Sequence, residues 1–214
     1  GHFGYGSYAV YPGKNLEDHL KPFTEGAFDL KGPTKMATAV MPYYTISYNQ
    51  DTKNGENVGN AYNKYLITDL LRGKYGYDGV VCTDWGITSD APNVYEFRGK
   101  PWGVENLSVA ERHYKIIEAG CDQFGGNNEM GPVIEAYQMG VEERFETSAV
   151  RLLKNIFRTG LFENPYLDVA ETEQIVGNSE FMKAGYNAQL KSVVMLKNSE
   201  ETLPIGSKKK VYVP

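Results

Sequence analysis

Residues 77–86 read YDGVVCTDWG, and the reading of the fold turns on them. Val80, Val81 and Cys82, followed by the β-branched Thr83, make a short continuous run between Gly79 and Gly86. A run of this kind fits a strand buried on both faces, as in a parallel sheet. Asp84 and Trp85 follow at once. A carboxylate and an indole therefore stand where a buried strand ends.

The flanking segments alternate in type. Upstream, AYNKYLITDLLRGKYG (61–76) sets Tyr62, Tyr65, Leu66, Leu70 and Leu71 on one helical face, with Gly73 or Gly76 as its stop. MATAVMPYY (36–44) reads as a short buried strand ending at Pro42. Residues 15–28 have helical spacing interrupted by Pro22, which predicts a kink or a break. NQDTKNGENVGN (49–60) is a loop by composition. Downstream, a long polar and aromatic loop (86–107) leads to Ser108, an N-cap for a helix that stops at Gly120. CDQFGG (121–126) is a short strand end and turn. Helices are expected over 131–140 and 142–160, the second with Val150, Leu153, Ile156 and Phe157 on one stripe. Residues 161–168 read as extended, Ser179 caps another helix, and VYVP (211–214) begins a strand.

Strands alternating with helices indicate βα units and a parallel sheet. The expected fold class is α/β, as the C-terminal portion of a (β/α)8 TIM-like barrel. In such barrels the chemistry collects at the C-terminal ends of the strands. Tyr43, Tyr44, Asp84, Trp85 and Asp122 all fall at such ends. Only three convincing strands occur, whereas a barrel needs eight. The expectation is therefore a fragment of a larger protein, or a chain completed by a partner polypeptide.

Bulk properties narrow the classes. Hydrophobic residues make up 41% and charged residues 23% of the 214, an ordinary globular composition. The formal net charge of -5 argues against a nucleic-acid partner, which usually leaves a basic patch. No run of about 18 apolar residues exists to span a membrane. GHFGYGSYAV lacks the regions of a signal peptide and an initiating Met, so periplasmic, secreted and cytoplasmic locations stay open. Cys82 and Cys121 match no metal spacing and read as buried thiols. Aromatic residues reach 13%, which suits core packing and also stacking against sugar rings.

Several ordered motifs carry a resemblance to glycoside hydrolase family 3, the β-glucosidase and exo-β-glucanase family. LRGKYGYDGVVCTDWG resembles that family's nucleophile signature, and AVMPYY the strand that offers a Met and a Tyr to the sugar pocket. AGCDQFGG resembles the following strand, AVRLLKNIFRTGLFENPYLD the last barrel helix and its exit, and SVVMLKNSEETLPI the start of a second, α/β-sandwich domain. The resemblance implies residues 1–160 as the later part of the barrel, 161–178 as an interdomain linker and 179–214 as the start of the sandwich domain. It implies a retaining exo-β-glycosidase, most readily a β-glucosidase and alternatively a β-xylosidase or another exo-β-glycosidase, that needs no cofactor or metal. Asp84 would be the nucleophile, and Trp85, Met41 and Tyr44 would bind the sugar. The partners implied are a β-glucoside or β-glucan oligosaccharide and the remainder of the same enzyme. The acid/base Glu would lie outside this chain.

Retaining glycosidases use two carboxyl groups about 5–5.5 Å apart, one attacking the anomeric carbon and one serving as acid and then base. Bland readings stand beside each assignment. A strand-end Asp is often a turn or cap residue, Trp85 alone reads as core, and Met41 as packing. Tyr48 rivals Tyr44. Asp122 reads as a structural hydrogen-bonder, and His19 and His113 as surface or interface residues. Arg98 and Trp102 read as parts of a solvated loop that could shape the aglycone side. GHFGYG imitates the family's Lys-His pair, but Gly1 stands where the Lys should be, so His2 is read as structural. Two other classes remain. A Schiff-base aldolase would need a strand-end Lys, which no strand offers. A non-catalytic sugar binder would keep the aromatics without needing Asp84.

Overall fold

In a computed structural model of the chain, residues 4–91, 99–210 and 212 are described. Arg98, His2 and most of the expected strand 211–214 lie outside them. The chain divides into two compact units, residues 1–162 and 163–214.

The first unit is α/β. Strand β1 (Tyr8–Ala9) pairs in parallel with β3 (Ile46–Ser47), and β2 (Ala39–Val40) pairs in parallel with β4 (Val80–Val81). Cys82 extends β4 through a parallel bridge to Gln123. The 36–40, 80–82 and 121–123 segments thus lie side by side, joined by Val80 N–H to Thr38 carbonyl at 3.0 Å and Asp122 N–H to Val81 carbonyl at 2.8 Å. Parallel neighbours need crossover helices between them, and the sequence supplies these in the helical segment Tyr65–Lys74 and in α2 (Val109–Ala119). The strands are shorter than expected.

Pro22 acts as the sequence suggests. Helix α1 (Leu16–Lys21) ends there, because proline has no N–H to continue the ladder. The chain continues in wider turns over Pro22–Ala27, where Phe28 N–H reaches the Phe23 carbonyl five residues back. Tyr65–Lys74 is wound the same way. Ser108 caps α2 in a reciprocal box with Glu111, and Gly120 ends it at φ 114°, a conformation glycine adopts without strain. Helices α3 (Met130–Gln138) and α4 (Glu142–Arg158) follow.

Tyr44, Tyr62, Tyr77, Val81, Ile87 and Ile116 form the centre of the core. Each such aliphatic side chain, fully removed from water, stabilises the fold by about 1.5–3 kcal/mol. A smaller cluster around Ile117, Ala136 and Val141 lies beside α3. The apolar stripe of α4 is present, but Val150, Leu153 and Phe157 are exposed. Only Ser148 of this helix is buried.

The second unit holds two helices, α5 (Val169–Ile175), capped by Asp168, and α6 (Ser179–Ser192), capped by Asn178. Helix α5 falls where the sequence suggested only a linker, and the cap of α6 is Asn178 rather than Ser179. Neither helix has a buried residue. No helix of the described residues is long and apolar enough to cross a membrane.

Candidate active site

Asp84 follows β4 by three residues and is 6% exposed. Its Oδ1 accepts the Trp85 backbone N–H at 2.8 Å. The Tyr44 hydroxyl donates to the Trp85 carbonyl at 2.5 Å and lies against the Asp84 carboxylate. Burial first, and then the Asp84 charge and hydrogen bond, hold the Tyr44 phenol well above its ordinary pKa. The phenol therefore stays protonated and remains a donor. Tyr44 stands four residues beyond β2 and is itself almost completely buried.

The turn after Asp84 is held from several sides. Gly125 N–H donates to Thr83 Oγ1 at 2.9 Å, and Gly86 N–H donates to the Gly125 carbonyl at 3.0 Å. Tyr62 Oη donates to the Ile87 carbonyl at 2.9 Å. A Cβ on Gly125 would overlap the Thr83 carbonyl, and one on Gly126, at φ 58°, would overlap the Trp85 ring. The paired glycines let the 124–126 backbone lie directly against the Asp84 turn. Trp85 itself is 64% exposed, an indole presented to solvent rather than packed in the core.

The other sequence-derived residues are distributed differently. Met41 is 58% exposed and lines a groove of about 280 Å³ with Tyr11, Leu16, Phe23 and Tyr43. Asp84 does not line this groove, nor the cavity of about 360 Å³ beside Phe124, Asn127 and Phe145. The structure thus brings Asp84, Trp85 and Tyr44 together, while Met41 lines a groove that Asp84 does not. Tyr48 stands edge-on to Tyr8, with ring centroids 5.3 Å apart. Cys82 and Cys121 are free, and burial raises both thiol pKa values.

Two expectations are overturned. His113 is completely buried rather than at the surface, because its face of α2 packs under the Asp84 loop and against Phe124. Trp102 is core rather than a solvated loop residue, since the chain around it folds back onto Val58 and Gly59. His19 is exposed, as a surface reading requires.

Sequence reasoning identified Asp122 as a hydrogen-bonder but missed its partners. Its fully buried carboxylate accepts from Arg72 Nη2 (2.7 Å) and Val81 N–H (3.0 Å) at Oδ2. At Oδ1 it accepts from Ser148 Oγ (2.9 Å), Arg144 Nη2 (3.1 Å) and Arg151 Nη1 (3.2 Å). Burial alone would raise its pKa. The Val81 N–H, the arginines and Ser148 outweigh that and hold it below the ordinary carboxylate value. A signal did exist: positions 144, 148 and 151 share one helical face. Among the described residues no group of three or more His, Cys, Asp or Glu side chains is arranged to hold a metal.

The first unit is thus an α/β protein with a buried carboxylate at the end of a parallel strand, a protonated phenol beside it and an exposed indole next to it. No family model matches the chain. Individual relatives do. The chain is 40% identical over 207 residues to a protein named probable beta-glucosidase C from Aspergillus oryzae, covering 95% of this chain and 31% of that protein. It is 40% identical over 226 residues to a periplasmic beta-glucosidase/beta-xylosidase from Dickeya chrysanthemi, covering 99% and 34%. Among solved structures, the beta-glucosidase from Listeria innocua superposes with a TM-score of 0.65 at 21% identity, covering 96% of this chain and 27% of that one. The chain belongs to glycoside hydrolase family 3, as a segment spanning about a third of the length of the curated relatives it matches.

Proposed function

We propose that the chain is the nucleophile-bearing segment of a retaining, exo-acting β-glycoside hydrolase that releases terminal non-reducing β-D-glucose. Residues 1–160 form the later part of a (β/α)8 barrel, 161–178 the connection out of it, and 179–214 the start of an α/β-sandwich domain. The remaining two thirds of a family-length enzyme, on the same polypeptide or as a separate chain, supply the acid/base Glu and the rest of the sugar pocket.

The observation that carries this reading is the position of Asp84. Its carboxylate is buried at a strand end, fixed by the Trp85 N–H and next to the Tyr44 hydroxyl. In the reaction one Asp84 oxygen attacks the anomeric carbon as the aglycone oxygen leaves with a proton from the acid. Water activated by the same acid/base group then cleaves the glycosyl ester. Fixing the carboxylate through a backbone amide keeps it aimed without reorganisation during attack. Tyr44 stays protonated, and its hydroxyl, donated to the Trp85 carbonyl, holds the turn that carries the carboxylate. Trp85 offers an apolar face to the sugar ring.

Glucose as the unit removed is supported by the beta-glucosidase names of the 40%-identical relatives. The structure of the Listeria enzyme with glucose agrees with such a substrate. A second reading, β-xyloside cleavage, is favoured by the double name of the Dickeya relative. Inactivation of the assembled enzyme with a 2-fluoro-β-glucoside, followed by peptide mass spectrometry, tests the central claim. The adduct is expected on Asp84. An adduct on another carboxylate, or an Asp84→Asn enzyme that still turns over, overturns the assignment. A matched pair of aryl glucoside and aryl xyloside substrates decides the sugar.

A further inference from the structure

His113 is fully buried in α2, yet the chemistry above gives it no task. Its ring stacks on Phe124 with centroids 4.5 Å apart. Both of its nitrogens are engaged. Nδ1 lies 2.7 Å from the Val109 carbonyl, an acceptor only, so Nδ1 carries the proton. Nε2 of the neutral ring is then a bare acceptor, 2.7 Å from Asn127 Nδ2 and 3.4 Å from Thr88 Oγ1.

The orientation of the Asn127 amide is fixed independently. Its Oδ1 accepts the Glu129 N–H at 3.0 Å, so its Nδ2 must face the imidazole. The same Nδ2 reaches Thr88 Oγ1 at 3.3 Å. Thr88 lies four residues beyond Asp84, and Asn127 one residue beyond Gly126. These are the two loops that meet at the Asp84 turn. We propose, building on the assignment of Asp84 above, that His113 is a positioning residue. As a neutral imidazole it locks the Asp84 loop to the 124–127 loop, and protonation of Nε2 releases the lock.

The reason lies in hydrogen-bond polarity. A proton on Nε2 would face the Asn127 N–H₂ donor, and Asn127 cannot turn over without abandoning the Glu129 amide. The surrounding charges fit a neutral ring. Arg112, buried beside it on α2, donates to the Thr88 carbonyl and pairs with Asp90 of the Asp84 loop. Arg72 of the Tyr65–Lys74 segment is turned to Gly120 and Asp122. On α3, Glu135 is exposed. Glu129, at the start of α3, is the charge that favours protonation. Burial outweighs it and the Val109 carbonyl, holding the His113 pKa below the ordinary 6.5. The ring is thus still neutral in the fold at the ordinary value, and the lock is lost only as pH falls through the lower folded value.

The test has two parts. With only three histidines in the chain, long-range ¹H–¹⁵N spectra can assign each imidazole. His113 should be the neutral Nδ1–H tautomer and should titrate below the ordinary 6.5. An Nε2–H tautomer, or titration at or above 6.5, overturns the proposal whether or not the enzyme is active. In the assembled enzyme, turnover of an aryl β-glucoside should fall about 10- to 100-fold in kcat with little change in KM for His113→Ala. His113→Gln, whose Oε1 can still accept from Asn127, should restore most of the rate and flatten the acid limb of the kcat–pH profile. A His113→Gln enzyme with an unchanged acid limb refutes the switch even if His113→Ala fails to fold. Loss of activity in Asp84→Asn alongside such a result would leave the nucleophile standing and remove only the role of His113. Full activity in Asp84→Asn would remove the reading on which the role rests.

Discussion

Replacing Asp122 by Asn should unfold the first unit far more readily than any surface change. Asn is isosteric, so the test isolates charge and hydrogen-bond polarity. The two carboxylate oxygens have separate clients: Oδ2 serves Arg72 and Val81, and Oδ1 serves Ser148, Arg144 and Arg151. Whichever way the amide turns, its NH₂ must face one of these donor sets. The guanidinium groups also lose a fully buried counter-charge, with the Arg72 and Arg151 side chains only 12% and 13% exposed. Removing one partner from a buried ion cluster costs about 3–5 kcal/mol. Asp78→Asn is the control. That carboxylate pairs with Arg151 and Lys154 but is itself largely exposed, so its loss should cost about 1 kcal/mol or less. Equilibrium urea unfolding read by Trp85 and Trp102 fluorescence measures both variants at constant m-value. The sign with pH follows from the lowered Asp122 pKa. Its stabilisation is complete above the ordinary value of 3.8 and is lost as pH falls through the lower folded value. The gap between wild type and Asp122→Asn should therefore close only in strong acid. A cost under about 1 kcal/mol, or a gap that closes near neutral pH, would refute the account of the cluster as a charged tie between β4 and α4.

Tyr44→Phe removes the donor to the Trp85 carbonyl and so loosens the turn that carries the Asp84 carboxylate. In the assembled enzyme it should lower kcat/KM by about 1.5–3 kcal/mol, roughly ten- to a hundred-fold. Steady-state kinetics with an aryl β-glucoside would show an unchanged constant if the hydroxyl had no such role. Gly126→Ala forces a Cβ into the Trp85 ring at a positive φ. It should cost about 1–3 kcal/mol and shift the Trp85 emission. A variant with wild-type melting and spectrum would show that the ring can move aside freely.

The sequence by itself determined the elements whose cause is local. Pro22 ends α1 because a missing N–H breaks any helix. Ser108, Glu111 and Gly120 bound α2 because capping needs only neighbours a few residues away. The VVCT run ends in Asp84 because periodicity and glycine punctuation are written along the chain. The family, too, was legible in ordered motifs. Tertiary structure alone decided which distant groups share a surface. Tyr44 meets Asp84 across forty residues while Met41, three residues from Tyr44, faces another groove. His113 and Trp102 are buried by segments that no short window contains, so their helix or loop setting suggested exposure. The arginines around Asp122 come from two helices, and their convergence exists only once the strands lie parallel. Local hydrogen bonds and backbone sterics can be read from spacing. Burial and charge pairing depend on which surfaces the fold presses together.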